Sequence, residues 1–141
     1  MIANKEGNLV FAKLDAGEDL FGSIETIRKK FSIKSGYVVF GIGALKDFEL
    51  GYFEKGKGYS RNTYKEPHEL IALHGSIAEA EQSVHLHAAL ANKKKQVVGG
   101  HLFGAKADPL VELLIVKLSK TRLTRRPNAK TGLNELFISK K

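Results

Sequence analysis

Between Ser83 and Gly104 the chain reads SVHLHAALANKKKQVVGGHLFG, and three of its five histidines fall inside this segment. If SVHLHAAL is a β-strand, side chains alternate between faces, so His85 and His87 point the same way, roughly 6.5–7 Å apart. Val84, Leu86, Ala88 and Leu90 then take the opposite face, whose apolar character marks it as the core side. A turn centred near Lys94 sets residue 87 opposite residue 101 and brings His101 onto the histidine face; a slip of one residue would turn it away. Three neutral imidazoles suit zinc or a neighbouring divalent metal and leave a fourth coordination position open. The competing reading is that all three are half-exposed polar residues on ordinary strands. No acidic residue within the segment completes a ligand set.

Gly99 and Gly100 sit just before His101, and glycines inside a strand mark a bulge or the close approach of another group. His68 and His74 lie outside the cluster, and His74, beside Gly75 at a strand end, is read as structural. A metal held by His85, His87 and His101 could also activate water, which requires a general base. Glu79, Glu81 and Glu112 are the candidates, and Glu112, which interrupts an apolar run, has a second reading as a buried partner of Arg122 or another base.

These residues need a scaffold. AGEDLFGSIETIRKKF is the clearest helix, with Leu20, Ile24, Ile27 and Phe31 at helical spacing, acids leading and a basic cluster closing it. NLVFAKL reads as an opening strand. SGYVVFGIGAL and KDFELGYFEK read as an antiparallel pair, and GKGYSRNTYKEP as a polar connection able to hold an edge strand. HELIALHGSIA, SVHLHAAL and QVVGGHLFG follow as strands. After an expected loop at AKADP, strand and buried helix compete for LVELLIVKL, and strand is favoured. Many strands around one helix predict an α+β fold, a largely antiparallel sheet with few flanking helices in a single compact domain.

Composition narrows the functions. The 141 residues suit one domain, and the absence of cysteine excludes disulfides, thiolate metal sites and a cysteine nucleophile. There is no P-loop, serine elbow or paired-carboxylate motif, and GIGALKDFELG lacks the third glycine and the following helix of a dinucleotide fingerprint. Neither a signal-like N-terminus nor a spanning run of about 18 apolar residues is present, so a soluble, cytoplasmic protein with no membrane partner is expected. Lysine and arginine number 23 against 15 acidic residues, a net charge of +8 that favours anionic partners. The excess gathers in NKKKQ and KLSKTRLTRRPNAK, so Lys93, Lys94, Lys95, Arg122, Arg125 and Arg126 are candidate nucleic-acid contacts.

Taken in order, GEDLFGSI, GIGALKDFELGYF, GSI at Gly75–Ile77, HLHAAL from His85, GGHL from Gly99, VEL from Val111 and RRPNAKTGLNEL form one pattern. It resembles the plants-and-prokaryotes conserved (PPC) domain of the stand-alone prokaryotic type, related to the domain of plant AT-hook nuclear proteins. The resemblance covers nearly the whole chain, 1–141 as one domain. It implies a compact, mainly antiparallel α+β fold assembled as a homotrimer, with a metal in some members at histidines matching His85, His87 and His101. Plant members use the domain for self-association while a separate AT-hook enters the minor groove. TRRPN at Thr124–Asn128 has arginines and Pro127 but no glycine between the arginines, so that device is missing here. Any DNA contact would come from lysines and arginines on phosphates, without sequence preference. The expectation is a trimeric binding module, DNA-binding or regulatory, with a histidine site for a divalent metal such as zinc. The alternative is a metal-dependent enzyme that activates water.

Overall fold

The computed structural model describes residues 1–141. Asp19 opens the helix α1 (Leu20–Lys30): its backbone is extended and its Oδ1 accepts a hydrogen bond from the Gly22 amide at 2.7 Å. Such a cap stabilises a helix by about 1 kcal/mol. Arg28, Lys29 and Lys30 occupy the last turn, where cations complement the helix dipole. Leu20, Ile24 and Ile27 are fully buried, while Phe31 falls just past the end and packs against the core from outside the helix.

Everything else of regular structure is strand. The strands β1 (Ile2–Glu6), β2 (Leu9–Asp15), β3 (Gly36–Glu54), β4 (Gly58–Tyr64), β5 (His68–Ile77), β6 (Val84–Ala91) and β7 (Val97–Lys117) pair antiparallel in the order β1-β2-β7-β6-β5-β3-β4. A further pairing of β3 with β7 closes part of this sheet on itself. A separate hairpin is formed by β8 (Thr121–Asn128) and β9 (Leu133–Lys140). The fold is thus α+β, a single compact domain of mostly antiparallel sheet with one helix. No helix is long and apolar enough to cross a membrane.

Two elements depart from the sequence reading. SGYVVFGIGAL and KDFELGYFEK are not partners; they are successive halves of β3, whose hairpin partner is β4, the expected edge strand. Likewise the AKADP segment is not a loop but the middle of β7, which runs 21 residues without a break. In both cases the chain bends by register shifts along the β3–β7 ladder rather than by turning back. Bulges of this kind sharpen the twist and let one strand serve two neighbours. β1 and the β8–β9 hairpin also lie outside the expected strands.

The pairing sorts residues cleanly by face. Val10, Ile115 and Val38 form one row across β2, β7 and β3, and all are buried in the cluster of 25 residues that includes the inner face of α1. The neighbouring rows, Leu9–Val116–Tyr37 and Phe11–Leu114–Phe40, point the other way and leave Leu9, Phe11, Tyr37 and Phe40 exposed. Glu112 lies on this outer face between Lys13 and Ile42 and is exposed, which corrects its reading as a buried partner of Arg122. Arg122 pairs with Glu79 instead, at 3.3 Å.

Candidate metal centre

β6 and β7 are joined by a tight connection whose flanking pair is Ala91 and Val97. The Asn92 side chain closes it: its Oδ1 accepts from the Lys94 amide at 2.9 Å and the Gln96 amide at 3.1 Å. An asparagine that mimics a backbone turn in this way fixes where the strands reverse. The connection is therefore symmetric about Lys94, and His87 and His101 become direct cross-strand partners, as the spacing predicts. Leu86 and Leu102 pair on the opposite face and are buried in the core.

The same register brings His85, His87 and His101 together. One ring nitrogen from each lies within 4.8 Å of the others, and the ring centroids are 4.7–5.4 Å apart. His101 is buried, His85 half-buried and His87 exposed, so the cluster opens outward at His87. The glycines of the neighbouring strands make this crowding possible. A Cβ on Gly100 would sit 2.7 Å from the Gly51 carbonyl oxygen of β3, and one on Gly75 would collide with the His85 carbonyl oxygen.

Burial pushes the imidazoles of both His85 and His101 down to about 4, helped by neighbouring positive charge, chiefly Arg125 for His85 and the other two imidazoles for His101. Both are neutral at physiological pH, the form in which imidazole binds metal. The Nε2 of His85 and the Nδ1 of His101 are buried without any hydrogen-bond partner. An unsatisfied buried polar atom costs about 1–3 kcal/mol. A cluster of nitrogen donors with two such orphans could hold a metal ion, which would satisfy them.

His68 and His74 are engaged elsewhere. His68 Nδ1 donates to the Glu66 carbonyl at 2.9 Å, and its ring packs edge-on against Phe48 and Tyr64. His74 Nδ1 donates at 2.8 Å to the carbonyl of Val39, which sits at a register shift in β3. His74 is thus structural even though it pairs across the ladder with His87.

The histidines line one wall of an open hollow of about 1460 Å³. Tyr37, Tyr59 and Phe103 add aromatic surface, and residues of the β8–β9 hairpin, Arg125 and Leu133 to Leu136 among them, complete the lining. Arg125 is half-buried there and donates from Nη2 to Ser76 Oγ at 2.8 Å. Of the proposed general bases only Glu81 lines the hollow; Glu79 is taken by Arg122, and Glu112 is on the outer face. Glu135 also lines it, with its carboxylate accepting from Asn128 Nδ2 and Thr131 Oγ1.

The candidate nucleic-acid contacts divide. Lys93, Lys94 and Lys95 are exposed on the β6–β7 turn. Arg122 and Arg126 are exposed on β8, Arg122 paired with Glu79 and Arg126 lying over the Phe137 ring at 3.4 Å. Arg125 alternates with them and turns inward beside buried Leu123. That alternation in TRLTRR, with a leucine and an arginine two apart, is the signal that separates Arg125 from its neighbours.

Residues 1–119 match the sequence profile of the Plants and Prokaryotes Conserved domain. Among solved structures, a plant- and prokaryote-conserved protein from Pyrococcus horikoshii is 30% identical, covers 92% of each chain and superposes with a TM-score of 0.82. A metal-containing protein from Archaeoglobus fulgidus is 28% identical over 97% of this chain and 99% of its own, with a TM-score of 0.85. A "putative dna binding protein" from Bacteroides thetaiotaomicron is 27% identical over 96% of each chain, with a TM-score of 0.88. The bifunctional protein GlmU of a Synechococcus strain (JA-3-3Ab) is 30% identical over 129 residues, 91% of this chain. The chain spans about a fifth of the length of the curated relatives it matches.

Proposed function

The chain belongs to the Plants and Prokaryotes Conserved domain family, and from that premise we propose that it is a self-associating binding module built around a three-histidine metal centre. The observation that carries this reading is the convergence of His85, His87 and His101, with a buried nitrogen on two of them left unpartnered. Three neutral imidazoles and an open position suit a divalent ion, and zinc is the ion we propose. When bound, such an ion would supply Lewis acidity, and His85, His87 and His101 are the residues that would hold it. The metal-containing relative from Archaeoglobus supports the reading. Elemental analysis of untagged protein after exposure to zinc tests it: about one equivalent per chain is expected, and none would overturn it.

The assembly we propose is a homotrimer, with 1–141 acting as one unit. Leu9, Phe11, Tyr37 and Phe40 form an exposed apolar face of the sheet, and contiguous surface of that kind marks a binding face. Its partner in this reading is the same face, or an adjoining one, on another copy of the chain. Nucleic acid is a further proposed partner, engaged in the cytoplasm through Lys93, Lys94, Lys95, Arg122 and Arg126. The +8 charge and the name given to the Bacteroides relative support it. Contacts of this type hold phosphates and carry no sequence information. A hydrolytic reading has less support. It requires a carboxylate aimed at the histidines, whereas Glu81 makes no polar contact with them and Glu135 is held by Asn128 and Thr131.

A further inference from the structure

Arg125 is the one arginine of β8 with neither a carboxylate partner nor an aromatic ring stacked beneath it, although Tyr37 lies near enough to act on its charge. Arg122 meets Glu79 and Arg126 covers Phe137, but Arg125 has no carboxylate within salt-bridge distance and its one hydrogen bond is to the Ser76 hydroxyl. A guanidinium carries five N–H donors, and a charge taken out of water is ordinarily paired. The remaining donors of this half-buried cation, which lines the hollow, have no protein acceptor.

Its position relative to the histidines is set by the strand register. Ser76 stands directly opposite His85 in the β5–β6 ladder, so the guanidinium is anchored one strand spacing from the cluster. The charge of Arg125 acts on both His85 and His101. A divalent ion held by three neutral imidazoles adds two more positive charges, and none of the proposed ligands is an acid. The acids on the hollow, Glu81 and Glu135, are both exposed. A metal and a guanidinium side by side, each with free valence and no anion between them, form a receptor for an oxyanion.

We infer that the hollow binds a small ligand through its carboxylate or phosphate group, one oxygen taking the metal's open position and another accepting from Arg125. The aromatic surface of Tyr37, Tyr59 and Phe103 gives the rest of such a ligand an apolar wall to lie against. This inference rests on the metal-centre reading and deepens it by naming the class of ligand. Arg125 belongs in this account to the ligand site, not to a surface that grips DNA.

Cobalt(II)-substituted protein provides the test, since its visible spectrum reports changes at the metal. Inorganic phosphate and benzoate serve as probes, titrated separately into wild type, Arg125→Gln and Arg125→Lys. The expected result is a saturable spectral change in wild type, with affinity weakened about tenfold or more in Arg125→Gln at unchanged cobalt content. Arg125→Lys keeps the charge but loses the planar fork, so it should fall between the two. If the protein takes up no cobalt, the metal centre itself is refuted and the inference with it. If cobalt binds but neither probe changes the wild-type spectrum, or if folded Arg125 variants respond as wild type does, the oxyanion site alone is refuted. Should Arg125→Gln fail to fold, the wild-type titration and Arg125→Lys still decide the matter.

Discussion

His101 lies directly opposite His87 across the β6–β7 ladder, and their rings meet at 86° with centroids 5.4 Å apart. One ring is buried and the other exposed, so His87 can be removed without opening the core. His87→Ala should abolish stoichiometric zinc binding while leaving thermal stability of the metal-free protein within about 0.5 kcal/mol of wild type. His68→Ala should keep the metal and lose stability instead, because its ring packs on Phe48 and Tyr64. Metal content and melting of the two variants, measured side by side, check both halves. Full zinc in His87→Ala would make the histidines ordinary strand residues.

The metal-free protein should lose stability as pH falls from about 6.5 to about 4. The imidazoles of His85 and His101 are held down to about 4 in the folded state, against an ordinary value of 6.5 in the unfolded chain. Across that window the unfolded state takes up protons that the folded state refuses, so acid favours unfolding. Above pH 6.5 these two groups contribute no slope, and below about 4 their contribution levels off. Urea midpoints at about pH 7.5, 6 and 5 for wild type and for the double variant His85→Gln/His101→Gln read it out. The variant should be the flatter of the two. Asp15, held down to about 2 by Lys13 and the N-terminus, loses its contribution only in stronger acid and does not disturb this comparison.

Exposed apolar rows on β2 and β3 predict the behaviour of a charge placed among them. Wild type should scatter light as about three chains of 15.5 kDa. Phe40→Asp, on the exposed side of the row shared with Phe11 and Leu114, should shift the mass toward one chain while circular dichroism stays unchanged. A wild-type mass of 15.5 kDa at every concentration would end the trimer proposal.

Binding to duplex DNA should be weak, insensitive to sequence and steeply dependent on salt. Replacing Lys93, Lys94 and Lys95 together with alanine should reduce the slope of log K against log salt by about 0.9 for each phosphate that these lysines neutralise in the wild type. Fluorescence anisotropy with two unrelated duplexes at several salt concentrations measures this. Tight, sequence-selective binding that persists at high salt would contradict the proposal.

The histidine cluster was legible because a strand repeats every two residues and because a lysine-rich turn centred near Lys94 sets the register that the structure then fixes through Asn92. The spacing of Leu20, Ile24 and Ile27, with acids before it and a basic cluster after, made the helix equally plain. What stayed hidden was continuity. Gly41, Gly43 and Asp47 in β3, and Asp108 and Pro109 in β7, are residues that elsewhere punctuate turns, yet here the chain carries on past them. Those positions are kept within their strands by the long β3–β7 ladder, which joins segments about seventy residues apart that no local window contains. Arg125 was hidden for the same reason. In a basic run its one distinguishing mark is the two-residue spacing from Leu123, and the packing of β8 against Ser76 gives that mark its meaning.

None of the 25 residues of the main core cluster lies beyond Ile115, although one wall of the histidine hollow is formed by the β8–β9 hairpin. The β8 strand that bears Arg125 is anchored to the domain by buried Leu123 and its bond to Ser35, whereas residues 129–136 of the hairpin are all exposed or half-buried. Residues 129–136 can be exchanged for others of different size or charge without repacking the interior. Selectivity for what enters the hollow can thus be retuned while the fold and the nitrogen donors stay as they are, a division of labour between a fixed holder and a replaceable wall.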